Sequence, residues 1–195
     1  MSCFTDVIKN RRSIYKLTKN LPVTEDKVID LIKNMLLYVP DAFNMQSQRI
    51  VVVMGDKNDT FWNMVYNKIN EISGGGISRQ RIDSFAAGFG TILYFYDVAP
   101  VNETRAKYPM YSGIFHEWVM QSNGMLQFAI WAGLRDMGVG ANLQHYNPAI
   151  DEMVQKMFDL PESWVLVAQM PFGGIGELPT MREMQDVDTR IKIEK

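Results

Sequence analysis

Apolar positions in the first third of the chain recur at helical spacing. Thr24 suits an N-cap, and Glu25 and Asp26 follow where a helix dipole favours negative charge. Val28, Ile29, Ile32, Met35 and Leu36 then repeat at three- and four-residue intervals until Pro40, which predicts a helix. A shorter helix is predicted from Thr5 to about Asn10. Arg49 to Met54 is a β-branched run ending at Gly55-Asp56, the pattern of a buried strand. Asp59 to Ile72 reads as a helix with Phe61, Trp62, Val65 and Ile69 on one side, closed by Gly74-Gly75-Gly76. Thr91 to Tyr96 reads as a second strand. Ile114 to Met137 is the longest helical stretch, and its second half is apolar nearly all round, which predicts a helix at the centre of the domain. Gly138 and Gly140 end it, and Pro148 opens another helix to about Phe158. Trp164 to Met170 has few polar positions and reads as a central strand. At the C-terminus Val187, Thr189, Ile191 and Ile193 alternate with Asp188, Arg190, Lys192 and Glu194, a period of two. That tail reads as a strand able to leave its own domain and pair elsewhere. Helices and strands mix without strict alternation, so the expected class is α+β.

Composition narrows the function. A chain of 195 residues with 47% hydrophobic content is expected to form one domain around a real core. A net charge of −2 leaves no basic stripe for nucleic acid. One cysteine, Cys3, excludes an intrachain disulfide framework and fits a reducing compartment. Neither a leader pattern nor a membrane-length apolar run is present, so a soluble cytoplasmic protein is expected. The 14 methionines read as adaptable core filler.

Three segments carry candidate chemistry. Arg11, Arg12 and Ser13 put two guanidinium forks and a hydroxyl together, which suits a phosphate. The loop from Pro40 to Gln46 includes Ala42, Asn44 and Gln46, and its two amide side chains can satisfy the carbonyl and imide edge of a heteroaromatic ring. The run from Asn142 to Asn147, with Gln144, His145 and Tyr146, is denser in amide and ring side chains than a strand end needs. A phosphate and a polar-edged ring together describe flavin mononucleotide (FMN). Gly74-Gly75-Gly76 lacks the Lys-Ser/Thr of a phosphate loop, and Gly88-Phe89-Gly90 lacks the third glycine of a dinucleotide fingerprint. No histidine pair stands at metal-ligand spacing, and no carboxylate pair or Ser-His-Asp set stands out. No catalytic acid or base and no metal site are therefore nominated.

In order along the chain, Arg11-Arg12-Ser13-Ile14-Tyr15, Ala42 to Ser47, Phe85 to Leu93, Gln121 to Ala129, Gly138 to Pro148 and Gln169 to Gly173 resemble the nitroreductase family of FMN-dependent oxidoreductases. The likeness is strongest to a short branch containing the yeast fatty-acid-repression-mutant-like proteins and bacterial relatives. It implies a central, mostly antiparallel sheet wrapped by helices, in a homodimer with FMN sites at the subunit interface. It implies that residues 180–195 form an arm whose strand joins the partner's sheet. By the same resemblance Arg11, Arg12 and Ser13 hold the phosphate and ribityl chain, joined by Arg190 and Lys192 of the arm. The Pro40–Gln46 loop approaches from the other subunit, and Gln144, His145 and Tyr146 border the ring near N5. Tyr15 stands at the pyrimidine edge, where the larger bacterial branch often has lysine. The implied activity is a ping-pong transfer of hydride from NAD(P)H through the flavin to a nitroaromatic or quinone-like acceptor. Two alternatives share the cofactor: a (hydro)peroxide reductase in oxidative-stress defence, and a non-catalytic flavin sensor whose ring face Phe43, Tyr111, Phe115 and Trp118 close. A domain without cofactor is the plainest rival.

Overall fold

A computed structural model describes residues 3–180 and 182–195. Its elements run α1 (Phe4–Asn10), β1 (Leu17–Thr18), α2 (Glu25–Tyr38), β2 (Gln48–Met54), α3 (Asp56–Ile72), α4 (Arg79–Ala86) and β3 (Gly90–Asp97). They continue with α5 (Val98–Lys107), α6 (Phe115–Asp136), β4 (Gly140–Ala141), α7 (Asp151–Phe158) and β5 (Trp164–Ile175). The sheet has the order β1-β5-β3-β2, with β4 also on β5, and every pairing between strands is antiparallel.

Period-two side chains split the core between the two faces of this sheet. Ile92, Tyr94, Ala168, Met170 and Phe172 pack with Val28 and Ile32 of α2 and Leu126, Ile130 and Leu134 of α6. Leu93, Phe95 and Leu166 point the other way, onto Phe61, Trp62 and Val65 of α3, Ile82 and Phe85 of α4 and Val154 of α7. The result is helices on both faces of an antiparallel sheet, the α+β class expected. β5 lies inside the sheet, as its apolar run predicts. Its Gly173-Gly174 pair lets β1 approach closely: a Cβ at either glycine would overlap the carbonyl oxygen of Thr18 or Asn20.

Several expectations are corrected. β2 is an edge strand that pairs only with β3, and most of its residues are half-buried rather than buried. α6 is not enclosed: Met120, Met125 and Phe128 are exposed on the side away from the sheet. The tail, expected to pair outside its own domain, is not one of these corrections: within the single chain Val187–Arg190 form a 3-10 turn and the residues beyond it enter no strand pairing among the described residues. An alternating pattern needs a neighbouring edge to become a ladder, and within this subunit the tail pairs with none. Helices α4 and α5 escaped prediction. Ser78 and Asp97 cap them, each accepting a backbone N–H, and Pro100 is tolerated because it falls in the first turn of α5. No helix among the described residues is long and apolar enough to cross a membrane.

Candidate cofactor site

Buried amides tie the first candidate segment to the third. Ile14 N–H donates to the Ala141 carbonyl at 2.9 Å, and Asn142 Nδ2 donates to the Ile14 carbonyl at 2.8 Å. Gln144 Nε2 donates to Asn142 Oδ1 at 2.7 Å, while the Gln144 and Gln169 backbones exchange hydrogen bonds of 2.7 and 2.9 Å. Gln169 Oε1 then accepts the Tyr146 N–H at 2.8 Å. Asn142, Gln144 and Gln169 are all buried, and each would be costly if left unpaired. Much of the amide density between 138 and 148 is thus a frame that holds Arg11 to Tyr15 beside the end of α6. His145 is exposed and Tyr146 half-buried; with Gln144, Leu143, Ile77 and Arg81 they line a cleft of about 460 Å³. Burial raises the Tyr146 phenol above its ordinary pKa, and the Arg81 guanidinium beside it opposes that shift.

The two arginines meet the tail here. Arg11 lies 4.3 Å above the Trp131 ring, a cation–π contact that orients the guanidinium. Its Nε is buried with no hydrogen-bond partner among the described residues. Desolvation lowers the Arg11 pKa first, and the charges of Arg182 and Arg12 lower it further. Arg12 Nη2 donates to the Thr180 carbonyl at 2.9 Å. Neighbouring guanidinium groups and a buried orphan donor form a place that an anion would relieve.

The second candidate segment lies apart from this centre in the single chain. Asp41, Asn44 and Gln46 line a separate groove of about 560 Å³ with Lys33, Leu36 and Arg49. Pro40 and Ala42 face Trp118, Gln121 and Met125 of α6 across a smaller hollow. Phe43, Asn44 and Gln46 take φ values of 53, 53 and 50°, a conformation that costs non-glycine residues about 1 kcal/mol or more each. Phe43 stacks on Tyr108 at 4.5 Å and lies within 6.2 Å of Tyr111, Phe115 and Trp118. Phe115 is buried, while Phe43, Tyr108 and Tyr111 remain exposed.

Residues 8–174 match the model of the nitroreductase family. The chain belongs to that family. It is 30% identical to the nitroreductase FRM2 of Saccharomyces cerevisiae over 179 residues, 90% of each chain. Nitroreductase CinD from Lactococcus lactis, solved with 4-nitrophenol, is 37% identical and superposes with a TM-score of 0.93 over 99% of this chain and 100% of that one. The same enzyme with nicotinic acid gives 38% identity and a TM-score of 0.95, again over 99% and 100%. A nitroreductase described as in complex with FMN, from Exiguobacterium sibiricum, is 13% identical with a TM-score of 0.76, and so shares the fold.

Ser13 bridges Ala141 and Ile14 is hydrogen-bonded to Ala141 and Asn142, which ties the segment from Arg11 to Tyr15 to the strand end that carries Gln144, His145 and Tyr146, whereas Pro40, Ala42, Asn44 and Gln46 line other hollows. Arg190 closes the 3-10 turn of the tail and Lys192 pairs with Glu194; both are exposed. Trp131, Arg182 and Arg81 escaped the sequence reading. Trp131 lies on α6 at a spacing that looks like core, Arg182 follows no pattern, and Arg81 belongs to a helix that was not foreseen. No cluster of metal-ligating side chains occurs among the described residues.

Proposed function

We propose that this nitroreductase is an FMN-dependent, NAD(P)H-oxidising reductase of flat electrophiles, acting as a cytoplasmic homodimer. The observation that carries the reading is Arg11: a guanidinium stacked on Trp131, with a buried unpaired Nε, beside Arg12 and under the field of Arg182. Such a donor set fits a phosphate monoester, and the cleft along Gln144, His145 and Tyr146, whose Gln144 is tied through Asn142 to the Ile14 backbone, offers space for a ring. FMN, when bound, would supply the hydride chemistry that links a reduced nicotinamide to an acceptor.

The chain's own residues bind and orient. Arg11, Arg12 and Ser13 hold the phosphate and ribityl chain, with Arg190 and Lys192 arriving on the arm of the other subunit. Gln144, fixed by Asn142, sets the backbone of His145 and Tyr146 along one edge of the ring. Tyr15, exposed, stands at the pyrimidine edge and brings no positive charge there. Pro40, Ala42, Asn44 and Gln46 approach from the second subunit, which is why they stand apart from the arginines within one chain. No side chain acts as an acid or base. CinD has been solved with 4-nitrophenol and with chloramphenicol, both nitroaromatic, and with nicotinic acid, which shares the pyridine ring of NAD(P)H. Those complexes support one slot that admits nicotinamide and acceptor in turn.

Freshly purified protein is expected to be yellow, to bleach with NADH or NADPH under anaerobic conditions, and to show ping-pong kinetics on a nitrofuran or a quinone. A colourless preparation that cannot be loaded with FMN would overturn the cofactor. A yellow protein that does not bleach would make it a sensor, and preferential turnover of an organic hydroperoxide would make it a peroxide reductase.

A further inference from the structure

The strained loop between α2 and β2 needs something to hold it. Phe43, Asn44 and Gln46 all have φ near +50°, and the residue between them, Met45, is buried against Val101, Phe115 and Val119. The left-handed region is disfavoured at Phe43 and Gln46, and less so at Asn44, so the surroundings must impose the shape. Besides the burial of Met45, a single carboxylate oxygen closes the loop. Asp41 Oδ2 accepts both the Ser47 N–H and the Ser47 hydroxyl, each at 2.7 Å, and so closes the loop across its base. Asp41 Oδ1 is buried with no partner among the described residues.

Ser47 is itself anchored. It is fully buried, its carbonyl accepts the Asp97 N–H at 2.8 Å, and its hydroxyl accepts from Gln48 Nε2 at 3.1 Å. Gln48 Oε1 in turn accepts from Asn123 Nδ2, and Asn123 Oδ1 accepts from Gln127 Nε2 at 2.6 Å. The clamp is therefore bolted to α6 through a buried chain of amides. Hydrogen bonds to an ionised acceptor are about twice as strong as neutral ones, and stronger still away from water.

We propose that Asp41 and Ser47 are positioning residues: their clamp stores the backbone strain of residues 42–46 and presets Asn44 and Gln46 as a rigid polar edge for the flavin. Neither residue need touch the cofactor. This rests on the reading that the Pro40–Gln46 loop meets FMN, and adds what keeps it in register. Without the clamp the loop relaxes to ordinary backbone geometry, and binding must first strain it again. Its loss is thus felt in cofactor affinity more than in stability, because relief of strain offsets the missing hydrogen bonds. A clamp with a merely structural role predicts the opposite split.

The experiment titrates FMN into the apo-forms of wild type, Asp41→Ala, Asp41→Asn, Ser47→Ala and Arg11→Ala, and records the thermal midpoint of each apo-protein. Asp41→Ala and Ser47→Ala are expected to weaken FMN binding about tenfold or more, the factor equivalent to about 1.4 kcal/mol, with apo midpoints close to wild type. Asp41→Asn keeps an acceptor and is expected to fall between. Should Asp41→Ala fail to fold, Ser47→Ala, which removes a single oxygen atom, carries the comparison. Unchanged affinity in the clamp variants, whether or not their midpoints drop, overturns the clamp while Arg11→Ala still tests the phosphate site. Failure of the wild type to bind FMN overturns the cofactor reading and the clamp with it.

Discussion

Arg11 is a cation held in a place that disfavours its charge. Burial and two neighbouring arginines lower its pKa, and the Trp131 face is its one compensating contact described. A bound phosphate supplies the missing negative charge, so inorganic phosphate should raise the thermal midpoint of the apo-protein more than chloride at equal ionic strength. Arg11→Ala should abolish that difference and lower FMN affinity by about a factor of ten or more. Arg11→Lys should rescue it poorly, because an ammonium cannot reproduce the planar fork. Asn142 tests the frame instead. Its Nδ2 satisfies the Ile14 carbonyl and its Oδ1 the Gln144 amide, both buried. Asn142→Ala should cost about 1–3 kcal/mol in urea unfolding, by orphaning those two groups.

The C-terminal arm and the β1–β5 pair make opposite predictions. Gly174 has no room for a side chain, because backbone rather than a flexible group occupies the space. Gly174→Ala should destabilise by about 2 kcal/mol or more, read from the chemical-denaturation midpoint. Residues 182–195 are all exposed, so ending the chain at Thr180 removes no buried side chain among the described residues. Far-ultraviolet dichroism should be nearly unchanged by that truncation. If the arm joins a second copy, the truncated protein should nevertheless lose its dimer and most of its FMN affinity. A truncated protein that stays dimeric and yellow would remove the arm from the site.

Unpartnered surface at the scale of the whole molecule points the same way. β2 presents a free edge, and Leu37, Tyr38, Met125 and Phe128 are exposed on α2 and α6. A free edge beside apolar helix faces is a surface that soluble proteins normally cover. The mass in solution should be about twice the 22.4 kDa of one chain, measured by light scattering. Phe128→Glu should shift it to the single-chain value and release flavin. Gln48, Asn123 and Gln127, buried between α6 and the strained loop, connect α6 to that loop within one subunit.

Periodicity alone exposed α2, α3, α6, β2, β3 and β5, because each buries one face or one run of apolar residues and burial leaves a repeat in the chain. The same reasoning found the arginines, the Asn44 loop and the amides near 142 as separate strings. It nominated Asn44, Gln46 and Gln144 as ligands and did not see that Asn142 frames Gln144, since a side chain that frames a site and one that lines it are the same letter. Tertiary structure decided the rest. Asn142 and Ile14 are 128 positions apart, and Arg12 and Thr180 are 168 apart. No local spacing encodes such contacts; they arise when β4 and β5 close the sheet against the N-terminal segment. The left-handed turn at Phe43, Asn44 and Gln46 is illegible for a related reason. Phe43 and Gln46 have no intrinsic preference for that shape, which hydrogen bonds to Asp41 and the burial of Met45 impose from outside.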